Sequence, residues 1–208
     1  MKIKIELKGW CLFFSVLEAE KKPYLEEKIV EDTINYLKEE FKEKELSKDE
    51  TVAQIRKLFH QTGCDPTKYR PSFEALARRI LKGELFPRIN PQVDFCNILS
   101  LQWHIPCCIC DLSKLEFPLN FRKGNEDETF LSLRGTFSLK NKPLIEDKVS
   151  PFSTPITDSI RTRVEFETKN LLFISYFPQD IDTEKIRKEF LKNLEKTSFS
   201  LKEIYFFS

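Results

Sequence analysis

The stretch INPQVDFCNILSLQWHIPCCICDL, Ile89 to Leu112, holds the change of texture that decides the fold. Its first half reads as a helix. Asn90 is a residue type that caps helix starts, and Pro91 suits the first helical position, where an N–H has no partner to lose. Its second half, CCICDL, is small, apolar and strand-like. Upstream, the chain is mostly helical. Downstream it becomes strand-like, in LEFPLNFRKG, TFLSLRGTFSLK and RVEFETKNLLFISYF. Helices that cluster first, with strands later, predict an α+β fold rather than a regular βαβ alternation.

Working outward, residues 2–8 alternate Ile3, Ile5 and Leu7 with charged residues, the pattern of a half-buried strand. Gly9 punctuates it, and WCLFFSVLEA predicts a second strand. In PYLEEKIVEDTINYLKEEFKEKEL, residues Ile29, Val30, Thr33, Ile34, Leu37 and Phe41 fall on one helical face. SKDETVAQIRKLFHQTG opens with Ser47 and Glu50 at capping-box spacing and stops at Gly63. RPSFEALARRILKG predicts a third helix, with Ser72 as its N-cap and Gly83 as its stop. Near the end, DTEKIRKEFLKNLEKT reads as a helix and IYFF as a closing strand. Lys140 to Ser159, with three prolines, reads as a loop packed on the domain.

The 34 basic and 33 acidic residues nearly cancel, for a formal net charge of +1. That balance argues against a general nucleic-acid coat and against DNA as a partner, while leaving room for a local basic patch. No apolar run approaches the roughly 20 residues of a spanning helix, so no membrane association is expected. The opening residues alternate charges where a signal peptide carries its apolar segment. The expected compartment is therefore the cytoplasm. Thiols stay reduced there, and six cysteines do not imply three disulfides.

Cys107, Cys108 and Cys110 lack the C-x2-C spacing of a zinc knuckle, and no second cluster pairs with them. Neither a metal nor a cofactor is expected. On a strand, Cys108 and Cys110 share one face and Cys107 takes the other. Buried cysteine behaves as a small hydrophobe. A reactive thiolate at Cys108 would need a cation or a helix N-terminus beside it. His104 and His60 both stand near helix ends, where structural use outweighs catalysis.

Two polar clusters stand out. Asn90, Asp94 and Asn97 recur at helical spacing. Asp158, Ser159, Arg161 and Thr162 crowd into TDSIRTR, just before a strand-like run. Asp158 and Arg161 read either as an internal salt bridge or as a clamp for a ligand carrying an amine and an acid. Arg78, Arg79, Lys82 and Arg88 form the best basic stretch, either a solvated helix face or a set of phosphate contacts.

The blocks RPSFEALARRILKG, INPQVDFCN, IPCCICDLSKL and DSIRTRVEFETKNLLFISYF, in this order, resemble the B3/B4 domain. That domain occurs in the beta chain of phenylalanyl-tRNA synthetase and in free-standing proteins, and the likeness is greater to the free-standing group. The resemblance covers roughly residues 68–178. It implies a single domain over 1–208, with residues 1–63 and a C-terminal helix at 182–197 packed on that core. It further implies a Greek-key, barrel-like mixed sheet surrounded by helices. The partners implied are tRNA or aminoacyl-tRNA, or a free amino acid or other small metabolite. The activity implied is hydrolysis of mischarged aminoacyl-tRNA in trans, the kind of editing needed when a binding pocket rejects a near-isostere too weakly. The site residues expected on the substrate are Asn90, Asp94, Asn97, Cys108, Asp158, Ser159, Arg161 and Thr162, with Arg78, Arg79, Lys82 and Arg88 on RNA. The editing histidine of the synthetase aligns with Cys108. Its glutamate falls near Phe173 to Ser175, where no acid stands.

Overall fold

A computed structural model describes all residues, 1–208. The chain runs through β1 (Ile3–Ile5), β2 (Trp10–Ala19), α1 (Glu27–Glu40), α2 (Glu50–Thr62), α3 (Ser72–Leu81) and α4 (Pro91–Trp103). Then come β3 (Cys107–Asp111), β4 (Leu119–Lys123), β5 (Thr129–Ser132), β6 (Gly135–Ser138), β7 (Pro143–Glu146) and β8 (Pro151–Ser153). Finally β9 (Asn170–Pro178), α5 (Thr183–Leu194) and β10 (Phe199–Phe207) complete the α+β fold. No helix is long and apolar enough to cross a membrane.

The strands form two four-stranded sheets, ordered β10-β2-β9-β3 and β1-β4-β7-β8, plus the hairpin β5-β6. They do not close into one barrel. Both larger sheets keep two edges each, and β3 has a strand partner only in β9. Every pairing is antiparallel except β1 with β4.

The apolar runs of β2 and β9 follow from their place in the molecule. A strand buried on both faces has no polar face to show. Successive side chains leave a strand on opposite sides. Thus Cys11, Phe13, Leu17, Leu171, Phe173 and Phe177 enter one core with α1, α4 and α5. Leu12, Phe14, Leu172, Ile174 and Tyr176 enter another, against Phe121, Ile145 and Phe152 of the second sheet. The layers are helices, sheet, sheet.

Local signals differ from expectation in places. Asp49, not Ser47, caps α2, accepting the Val52 N–H, and Gly63 in left-handed backbone ends it. No side chain caps α3, and the Ser72 N–H instead donates to Pro155 O. Residues 140–159 are not one loop. Two of their three prolines, Pro143 and Pro151, open short strands, β7 and β8, of which β8 is an edge strand. Proline there lacks a ladder donor that such positions tolerate losing. TDSIRT makes one turn of 3-10 helix over Ile160–Thr162, and β9 begins only at Asn170.

Candidate functional site

A cleft of about 580 Å³ opens beside the unpartnered edge of β3. The amino-terminal half of α4 forms one wall, and residues 154–166 form the wall across from it. Asn90, Asn97, Cys108, Asp158, Ser159 and Thr162 all line it, so the two polar clusters of the sequence meet in one concavity.

Several of these side chains also hold the walls in shape. Asn90 Oδ1 accepts the Val93 N–H at 2.9 Å and starts α4. Ser159 Oγ accepts the Arg161 N–H at 3.2 Å and starts the 3-10 turn. Thr154 closes a tight turn. Its hydroxyl accepts the N–H groups of Ile156 and Thr157 and donates to Thr157 O. That turn sets Ser153 and Asp158 opposite one another, and the Ser159 N–H donates to Phe152 O at 2.8 Å. A bridge from Ser132 to Ser159 ties the β5-β6 hairpin to the same segment. Lys142, packed 3.8 Å from the Tyr69 ring centre and 5.2 Å from that of Phe137, fastens the hairpin below.

Asp158 is the focus of the wall. Ser153 Oγ donates to its Oδ1 at 2.7 Å, and the same Oγ lies 2.6 Å from the Tyr176 hydroxyl. Burial pushes the Asp158 carboxyl up to about 6, against the downward pull of hydrogen bonds from Ser153 and Cys108. The cysteines beside it are held as thiols. Burial pushes Cys107 up to about 12. The neighbouring Cys110 thiol and burial raise Cys108 well above its ordinary value. The partner of Cys108 is a carboxyl, not a cation, which is the wrong environment for a thiolate nucleophile. No group of three or more His, Cys, Asp or Glu side chains is placed to hold a metal ion.

Two expected ligand groups lie elsewhere. Arg161 is not in the cleft lining. Its guanidinium pairs with Asp147, not with Asp158, and also donates to Lys114 O and Ser150 O. A turn of 3-10 helix separates neighbouring side chains by about 120°, so the strand-like alternation of this run does not hold. Asp94, buried, accepts from the Ile89 N–H at 2.9 Å and Arg88 Nε at 2.8 Å, bracing the entry to α4.

The basic stretch is largely neutralised. Arg78 pairs with buried Glu74, which also pairs with Arg56. Arg79 pairs with Glu84, and Arg88 with Glu27 and Asp94. Lys82 alone of the four has no acidic partner.

Sequence reasoning misses Ser153 and Tyr176, although a lone phenol inside the apolar run FISYFP is a signal that a hydroxyl has a buried partner. It also misses the rim, where Ile89, Leu133 and Phe166 stand 63%, 76% and 46% exposed at the cleft mouth.

The model of the family described as the B3/4 domain matches residues 54–199. Among solved structures, the chain is similar to an N-terminal fragment of the phenylalanyl-tRNA synthetase beta-subunit from Pyrococcus horikoshii. Identity is 14% and the TM-score 0.47, over 95% of this chain and 50% of that fragment, so the chain spans about half its length. No curated protein matches the chain.

Proposed function

The chain belongs to the B3/4 domain family, and from that premise we propose that it binds the aminoacylated end of a tRNA in the cleft between α4 and residues 154–166, as a cytoplasmic factor that hydrolyses mischarged aminoacyl-tRNA in trans. The observation that carries this reading is the convergence of Asn90 and Asn97 with Asp158 and Thr162 around one concavity. Its volume lies within the usual 300–1,000 Å³ of small-ligand sites, enough for an amino acid and its ribose.

The groups suit such a guest. A carboxylate at Asp158 complements the ammonium of an esterified amino acid. The side-chain amides at Asn90 and Asn97 supply donors for a carbonyl or a ribose hydroxyl. The apolar rim of Ile89, Leu133 and Phe166 offers faces for a nucleobase. A hydrolytic site needs a water held near the ester carbonyl, and a wall fixed by the Thr154 turn limits the motion of the groups that would hold it.

A second reading, a binding module for a free amino acid or other small metabolite, is favoured by the ion-paired arginines, which leave little unpaired positive charge for RNA. The experiment is deacylation of a panel of mischarged tRNAs by the purified protein, with a thermal-shift screen of free amino acids beside it. Ester hydrolysis on at least one tRNA is the expected result. Stabilisation by a free amino acid, with no hydrolysis and no tRNA binding, overturns the RNA reading in favour of the second.

A further inference from the structure

We infer that Asp158 is the acid–base catalyst of this cleft, acting from the wall made by β3 and the Thr154 turn. The inference rests on the aminoacyl-ester reading above. It assigns the chemistry to a different element from the two positions, Cys108 and Phe173–Ser175, at which the family resemblance leads one to look for a histidine and an acid.

Three observations carry it. The carboxyl is in the cleft lining, and its orientation is set by its neighbours. Ser153 donates to Oδ1 at 2.7 Å, the Tyr176 hydroxyl stands 2.6 Å behind Ser153, and the Ser153–Asp158 bridge fixes the backbone. Tyr176 and Ser153 are fully buried, so this file of hydroxyls runs from the core to the cleft without a break.

The surroundings are neutral on every side. Cys96 faces Asp158 from α4, Cys107 and Cys108 from β3, and Tyr176 from β9. Burial raises Cys96, Cys107 and Tyr176, and the Cys110 thiol together with burial raises Cys108, so all four stay protonated at neutral pH. The charged groups of the cleft mouth, Arg163 and Glu165, pair with one another at 2.5 Å. Asp158 is thus the carboxyl of the inner wall that changes charge near pH 6, close to the operating pH at which a general base is most effective.

The step balances with water as the only co-reactant. The Asp158 carboxylate takes a proton from a water molecule while the water oxygen bonds to the ester carbonyl carbon. The bond from that carbon to the ribose oxygen then breaks, and the departing oxygen takes the proton back from Asp158. The products are a free amino acid and a tRNA with its terminal hydroxyl restored, and the carboxylate is regenerated.

The test is the pH dependence of kcat/KM for deacylation from pH 4.5 to 8, for the unmodified protein and for Asp158→Asn, Asp158→Glu and Tyr176→Phe. Binding of a non-hydrolysable aminoacyl-amide of adenosine is measured in parallel. The unmodified protein should gain activity with a midpoint near 6. Asp158→Asn should lose at least about 100-fold in kcat at saturating substrate, together with its pH inflection, a loss that weaker holding of the ammonium alone would not produce. Asp158→Glu should keep residual activity with a displaced midpoint. Tyr176→Phe should move the midpoint upward, a change that a purely structural hydroxyl would not produce.

An Asp158→Asn variant that hydrolyses within about 3-fold of the parent, on the same pH profile, overturns the assignment and leaves the aminoacyl-tRNA reading standing. A parent protein that binds the amide but hydrolyses nothing overturns the catalyst and keeps the binding site. A parent that does neither overturns both.

Discussion

Arg161 and Asp147 form a two-point ion pair, with Nη2 to Oδ1 at 2.9 Å and Nη1 to Oδ2 at 3.3 Å, behind the cleft rather than in it. The same carboxylate accepts the N–H groups of Glu116, Val149 and Ser150, so one buried aspartate gathers the loop after β7, the segment before β4 and the 3-10 turn. Removing Arg161 leaves that carboxylate buried without its cation. Breaking a buried pair from one side costs about 3–5 kcal/mol. Arg161→Ala should therefore lower the denaturant midpoint sharply, with ligand affinity per folded molecule changing little. A variant of full stability that has lost ligand binding would return Arg161 to the site.

Acid should act on stability through two groups of carboxylates with opposite signs. Against burial, Arg56 and Arg78 hold Glu74 below its ordinary 4.5. Against burial, the N–H groups of Ser150 and Glu116 and the Arg161 guanidinium hold Asp147 below its ordinary 3.8. A lowered native pKa means that the unfolded chain binds more protons, so these contributions are present at neutral pH and fade as pH falls below about 4–5. Asp158, raised to about 6, works the other way. Its native form binds more protons than the unfolded chain between about pH 4 and 6, so its contribution falls as pH rises through that window. Urea unfolding at stepped pH checks both. Glu74→Gln should flatten the acid limb, and Asp158→Asn should raise stability at pH 7 relative to pH 4. An unchanged pH slope in either variant removes that group from the account.

The mouth of the cleft should bind a base by its face. Ile89, Leu133 and Phe166 are exposed there. Stacking of a nucleobase on an aromatic side chain is worth about 1–3 kcal/mol by alanine substitution. Phe166→Ala should weaken an aminoacyl-adenosine analogue by roughly 5- to 150-fold, while leaving the melting temperature and the binding of a free amino acid in place. Equal losses for the nucleoside and the free amino acid would show that Phe166 serves packing alone.

Binding of tRNA should depend only weakly on salt. Each phosphate neutralised by a lysine or arginine contributes about −0.9 to the slope of log K against log salt on duplex, less on single strands. With Arg78, Arg79 and Arg88 already paired to acids, few cations near α3 are free to release counterions. A slope shallower than about −3 is expected from titrations between 50 and 200 mM salt. A slope near −6 or steeper would mean that these pairs open and that the arginines of α3 reach the RNA. In that case Arg79→Ala and Lys82→Ala should each reduce it by about one.

Much of the fold is legible in short stretches because hydrophobic periodicity is a local record of burial. WCLFFSVLEA is a strand from Trp10 to Ala19 both by pattern and in the structure. Asn90 and Pro91 begin α4 as their chemistry requires. Pro143 and Pro151 hide β7 and β8, since a proline at the first position of a short strand reads like one in a loop. Within the site, the polar types were visible and their employment was not. Asp94 and Arg161 look like ligand groups in a sequence, yet both are consumed by neighbours that the chain brings from a distance or from the other side of a turn.

By itself the sequence determined the α+β character, the two polar clusters and the near-neutral charge, all of which depend on residue type and local order. Only the tertiary structure decided that Asn97 and Asp158 line the same concavity, that Ser153 and Tyr176 back the carboxyl, and that the arginines of α3 are paired. The reason is physical. A side chain's pKa and its free hydrogen-bonding capacity depend on what is buried beside it, and those neighbours arrive by the packing of two sheets and a helical layer rather than by proximity along the chain.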